Sequence, residues 1–131
     1  MNGNQAERIT EAEHAVMEAL WRQAPLTATE VADAIGTDRG WSLATVKTLL
    51  SRLVTKQAIA TAPDGKRFLY SPLIARAEFV GGESRRLLDR LFGGRASSLL
   101  AHLAREEALS TRDIAEIETL LDELKRKGEG R

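Results

Sequence analysis

The sequence predicts a mainly helical protein with one small β-hairpin, in which three helices and the hairpin come first and a purely helical region follows. Three observations carry that expectation. Apolar residues recur at helical spacing in six separate stretches, a single turn tetrad, Pro63-Asp64-Gly65-Lys66, lies between two β-prone stretches, and strand signals end at Pro72. With 131 residues, 43% hydrophobic and 29% charged, the chain has the length of one ordinary domain or two small modules and enough apolar residues for a core.

The first helix is expected from Ile9 to Gln23. Thr10-Glu11-Ala12-Glu13 reads as a capping box, in which the Thr10 hydroxyl and the Glu13 carboxylate each satisfy an orphan amide. Val16, Met17, Leu20 and Trp21 share one face, with Trp21 as plain core, and Pro25 stops the run. The same device returns as Thr27-Ala28-Thr29-Glu30 before a short helix with Val31, Ala32 and Ile35, and Gly36 stands where a helix ends. After the polar connection Thr37-Asp38-Arg39-Gly40-Trp41, Ser42 caps a longer third helix. Its buried stripe is Leu43, Val46, Leu49, Leu50 and Leu53, and its other face holds Thr45, Lys47, Thr48, Ser51, Arg52 and Lys56.

Ile59–Ala62 and Arg67–Ser71 flank the turn tetrad and form the hairpin. Helix, helix, helix, hairpin is the order of a winged helix-turn-helix, with the hairpin as wing, and such a domain is expected over residues 8–72. A helical region follows over 73–127. Its first helix, Ile74 to Phe92, contains Gly81-Gly82, which cost roughly 1 kcal/mol each relative to alanine, and Gly93-Gly94 break it. Ala96–Glu107 and a last helix capped by Ser110-Thr111-Arg112-Asp113 complete the region, and the charged end Lys125–Arg131 is expected to fray. So short a helical region makes a poor core alone, so its leucines are expected to bury against a second copy of the chain. The expected interface residues are Leu99, Leu103, Ile117, Leu121 and Leu124, the apolar stripes of the last two helices.

Nineteen basic and nineteen acidic residues give a formal net charge of zero. That zero is a cancellation. From Glu7 to Asp38 there are seven acids against two bases, whereas from Arg39 to Arg67 there are six bases against one acid. The basic segment is the third helix plus the hairpin, the two parts a winged helix presents to DNA. Double-stranded DNA is therefore the expected partner. Thr45, Lys47 and Thr48 are expected to read the groove, Trp41, Ser42 and Arg52 to hold phosphates, and Lys66 and Arg67 to grip the flanking backbone. For Trp41, packing and DNA contact both stay open, and Ser42 also has its capping role. The competing reading is a winged-helix protein-interaction module that does not bind DNA.

The chain has no cysteine, which excludes disulfides, thiolate metal sites and a Cys nucleophile. Its two histidines, His14 and His102, lie far apart and outside any metal-ligand spacing, so no metal, cofactor or enzymatic activity is expected; His14 reads as a surface residue. No apolar run has the length of a membrane span, and the polar start Met1–Gln5 lacks a signal peptide's apolar stretch. A cytoplasmic location without membrane insertion is expected.

Glu13-His14-Ala15-Val16-Met17, Leu20-Trp21 and the run Trp41-Ser42-Leu43-Ala44-Thr45-Val46-Lys47-Thr48-Leu49-Leu50-Ser51-Arg52-Leu53 resemble the BlaI/MecI/CopY family of bacterial repressors. Ser98–Leu103, Leu109-Ser110 and Ile114–Ile117 extend the resemblance over nearly the whole chain. It implies a homodimer with an N-terminal winged helix and a helical dimerisation region, bound to a palindromic operator and blocking transcription. In β-lactam-responsive members a membrane sensor with a metalloprotease domain leads to cleavage inside the dimerisation region. The matching segment here is Ala101-His102-Leu103-Ala104, with His102-Leu103 where the cleaved members have Asn-Phe. Copper-responsive members carry a Cys-x-Cys site that this cysteine-free chain lacks.

Overall fold

In the computed structural model, which describes residues 8–36 and 38–129, both predicted capping boxes form. The polar start Met1–Gln5, Thr37 and the end of the charged tail lie outside the described residues. Thr10 Oγ1 accepts from Glu13 N at 3.1 Å while Thr10 N donates to Glu13 Oε1 at 2.8 Å, and helix α1 (Glu11–Arg22) starts there. Thr27 and Glu30 repeat the geometry at the start of α2 (Ala28–Ile35), which ends at Gly36 with φ +80°. That left-handed backbone is the conformation for which glycine is suited. Ser42 Oγ accepts from Thr45 N at the head of α3 (Leu43–Thr55).

Val46, Leu49, Leu50 and Leu53 of α3 are buried against Val16, Met17 and Leu20 of α1 and Val31 of α2, as the helical spacing predicts. Leu43 is an exception, 40% exposed, because it opens the helix at its outer end instead of facing the core. Trp21 also departs from the expectation of plain core. It is half-buried, its Nε1 donates to Ile74 O at 2.9 Å, and Phe79 packs 5.5 Å from it. His14, expected at the surface, is half-buried with its ring 4.9 Å from that of Phe79 and its Nε2 2.9 Å from Glu18 Oε2.

Strands β1 (Ile59–Asp64) and β2 (Arg67–Pro72) pair antiparallel from Ile59 opposite Pro72 to Asp64 opposite Arg67. The turn is thus shorter than the predicted tetrad. Pro63 and Asp64 belong to β1, and only Gly65-Lys66 link the strands, with Gly65 at φ +65° as a two-residue hairpin turn requires. Proline is tolerated in a strand lying at a sheet edge. The hairpin has a third partner that the sequence pattern did not disclose. Leu26, between α1 and α2, exchanges both backbone hydrogen bonds with Tyr70 of β2, at 3.1 and 2.8 Å.

Glu13 is buried within this unit, and its carboxylate is also paired. Lys56, just beyond α3, donates from Nζ to Glu13 Oε1 at 2.6 Å and to Arg8 O at 2.8 Å. Burial alone would raise the Glu13 pKa, but the hydrogen bonds from Lys56 and from the Thr10 amide hold it below the ordinary carboxylate value. Lys56 therefore leaves the open face of α3 on which the sequence pattern put it.

Three more helices follow, α4 (Arg76–Phe92), α5 (Ala96–Arg105) and α6 (Thr111–Glu129), and the second unit comprises α4 from Gly82 onward with α5 and α6. The chain divides into two compact units between Gly81 and Gly82, within α4, and not after residue 72. The reason is local: Ile74, Arg76 and Phe79 are committed to the first unit, Arg76 through a 3.0 Å bond to Glu18. Gly81 and Gly82 do not interrupt α4, whereas Gly93 and Gly94 end it as expected. The last helix, capped by Ser110 Oγ accepting from Asp113 N, runs on through Glu129 and does not fray at Lys125. No described residue from Gly82 onward is fully buried. Among the described residues no helix is long and apolar enough to cross a membrane.

Replacing Lys56 by methionine strands the Glu13 carboxylate in the core and is expected to lower stability by about 3–5 kcal/mol at neutral pH, measured by urea unfolding. Because the folded-state pKa of Glu13 is depressed, its stabilisation is present above the unfolded carboxylate value of about 4.3 and is lost as pH falls through the folded value. Glu13→Gln should therefore flatten the acid limb of the stability curve below that value.

Candidate nucleic-acid interface

The outer face of α3 and the wing hold most of the predicted contact residues. Ser42, Thr45, Lys47, Thr48, Ser51 and Arg52 are all exposed along α3, and Lys66 and Arg67 are exposed at the wing tip. The short hydroxyls are partly engaged with their own helix. Ser42 Oγ lies 3.1 Å from Thr45 Oγ1, and Thr48 Oγ1 donates to Ala44 O at 3.1 Å, while all three residues stay exposed. The result is a shallow surface of methyl and hydroxyl groups between cations.

Not all six bases of the segment are available. Arg39 makes two bonds to Glu11, at 2.7 and 3.2 Å, and its guanidinium lies 5.0 Å from the centroid of Trp41. This pairing holds the Glu11 carboxyl below its ordinary pKa. Lys56 is bound to Glu13, and Arg67 Nε donates to Asp64 Oδ2 at 3.1 Å. Lys47, Arg52 and Lys66 have no hydrogen-bond or ion-pair partner among the described residues. Trp41 is half-buried, packed against the core on one side and covered by Arg39 on the other.

Lys47 and Lys66, from different elements, border one cleft of about 490 Å³, together with Arg67 and the first turn of α2. Phe68 and Tyr70 of β2 also line it, and neither stands out from sequence alone. The signal was an aromatic residue directly after Lys66-Arg67 in a hairpin, a position that alternation leaves free to face outward. Arg52 borders a separate shallow depression with Ser51, Thr55 and Lys56.

The penicillinase repressor family matches residues 9–123. The chain belongs to that family. Among its relatives, the penicillinase repressor of Bacillus licheniformis is 28% identical over 120 residues, covering 92% of this chain and 94% of the relative. The methicillin resistance regulatory protein MecI of Mammaliicoccus sciuri is 29% identical over 119 residues, covering 91% of this chain and 97% of the relative. The solution structure of the DNA binding domain of the repressor BlaI superposes with a TM-score of 0.50 at 31% identity, covering 54% of this chain and 87% of that one. The penicillinase repressor family thus accounts for the winged helix-turn-helix, and the expectation of a non-enzymatic regulator holds for this member.

Ser42 is the site residue whose local role is best defined, since its hydroxyl caps α3. Ser42→Ala should lower thermal stability by about 1 kcal/mol, read from unfolding midpoints, while Ser42→Asp, which keeps a cap acceptor, should restore it.

Proposed function

We propose that this chain is a DNA-binding transcriptional repressor, acting in the cytoplasm as a homodimer on a palindromic operator. The observation that carries the reading is the set of cations Lys47, Arg52 and Lys66, exposed on α3 and the wing and unpaired among the described residues. Relatives named as repressors, and a related domain named as DNA binding, support it. In this reading Thr45 and Thr48 face base edges, and Lys47 reaches the groove. Arg52, Ser42 and Trp41 lie along one strand's phosphates, and Lys66 and Arg67 meet the neighbouring backbone. The first unit, which reaches Gly81, binds the operator, and the helices from Gly82 onward join the subunits.

The dimer reading rests on the second unit. Leu99, Leu103 and Ile117 are only half-buried, and Leu121 and Leu124 are 46% and 62% exposed. A row of exposed leucines on one helix is better satisfied by a partner than by water. Release by cleavage at His102-Leu103, the route the resemblance implies, needs the end of α5 to open first, because the bond lies inside the helix shortly before Arg105.

Mobility shifts of the full chain on a duplex selected from a randomised pool test the reading. The logarithm of the binding constant should fall linearly with the logarithm of salt, and Lys47→Ala and Arg52→Ala should each reduce the slope by about 1. Arg39→Ala should leave the slope unchanged, since its charge is committed to Glu11. Binding insensitive to salt would instead support the protein-interaction reading. Sedimentation equilibrium should give twice the 14.4 kDa chain mass, and the double variant Leu121→Glu, Leu124→Glu should sediment as a monomer with weakened DNA affinity.

A further inference from the structure

Phe68 is the large apolar side chain of the wing that no packing explains. It is 53% exposed although it stands opposite Pro63 in the hairpin register, and it lines the cleft that Lys47 and Lys66 border. The surroundings specify what a ligand must offer. The Glu30 carboxylate on the cleft wall accepts the Thr27 amide and Arg67 is bonded to Asp64, so the unpaired ammonium groups of Lys47 and Lys66 are what call for anionic groups, whereas the open ring calls for an apolar surface between them. A nucleic-acid backbone alternates these features, charged phosphodiester and uncharged sugar, at short regular intervals.

We propose that Phe68 is a DNA-contacting residue whose ring seats on a deoxyribose of the strand whose phosphates Lys66 neutralises, beside the groove that Lys47 enters. This assignment rests on the DNA-binding reading above. It makes the wing more than an electrostatic grip. Apolar contact with a sugar adds affinity without releasing counterions, so its loss has a different signature from the loss of a lysine.

The test uses the full chain and a duplex that it selects from a randomised pool. Phe68→Ala should weaken binding about tenfold at every salt concentration, leaving the salt slope unchanged, while Lys66→Ala lowers the slope by about 1. Hydroxyl-radical footprinting should show deoxyribose protection by the wild-type wing that Phe68→Ala loses and Phe68→Tyr, which keeps the ring, retains. Phe68→Ala binding as tightly as the wild type, or Phe68→Tyr failing as badly as Phe68→Ala, would overturn the contact while leaving the DNA reading standing. A wild-type chain that selects no duplex overturns the DNA reading itself, and the contact with it.

Discussion

Glu13 is a single carboxylate that fastens two places in the fold, and the N-terminal unit depends on it. Its Oε1 accepts the Thr10 amide, closing the first turn of α1, and the Lys56 ammonium, which holds the far end of α3. The apolar stripe of α3 would pack on α1 in any case. What the ion pair adds is axial position, because it allows the end of α3 to lie only where Lys56 can reach a fixed oxygen. A buried charge with a partner is tolerated and one without it is expensive, so the arrangement has few intermediate states. The outward face of α3 is thereby set relative to the rest of the unit by a contact on its inward side.

The charges of the segment divide by the same logic. Three of its six bases serve the fold: Lys56 through Glu13, Arg39 through Glu11 and the Trp41 ring, and Arg67 through Asp64 in the wing. The other three are unpaired among the described residues. An ion pair exposed to water contributes little to stability, so the Arg39 and Arg67 pairs matter more for orientation than for energy. A plain count of charges overstates the surface field, while the fold concentrates the unpaired part on α3 and the wing tip.

Local features were legible in the sequence, and contacts between distant residues were not. The capping boxes at Thr10 and Thr27, the Ser42 cap and the stripe Val46, Leu49, Leu50, Leu53 follow from spacing over a few residues, and they formed as read. The ion pairs of Lys56 and Arg39 were not legible because their partners are 43 and 28 positions away, beyond the reach of any periodicity. Trp21 looked like core because its helical face is apolar, yet its indole N–H needed an acceptor, which Ile74 supplies from the start of the next region. That same contact carries the first unit past Pro72. Leu26 gave no strand signal since a single bridging residue has no alternation to display. Of the candidate site, the α3 residues and Lys66-Arg67 were legible, and Phe68 was not, because its meaning comes from the cleft it shares with Lys47.

The Leu26 bridge to Tyr70 bears on how the wing meets anything it touches. A two-stranded hairpin in water is marginal and samples many shapes, and catching one of them upon association consumes conformational entropy. Two backbone hydrogen bonds from the connection between α1 and α2 give this hairpin a third strand's support at its base, before any encounter. The wing is thus preorganised. Its tip, only Gly65-Lys66 long, has little slack of its own, so association at the wing should be governed by fit and carry a small ordering penalty.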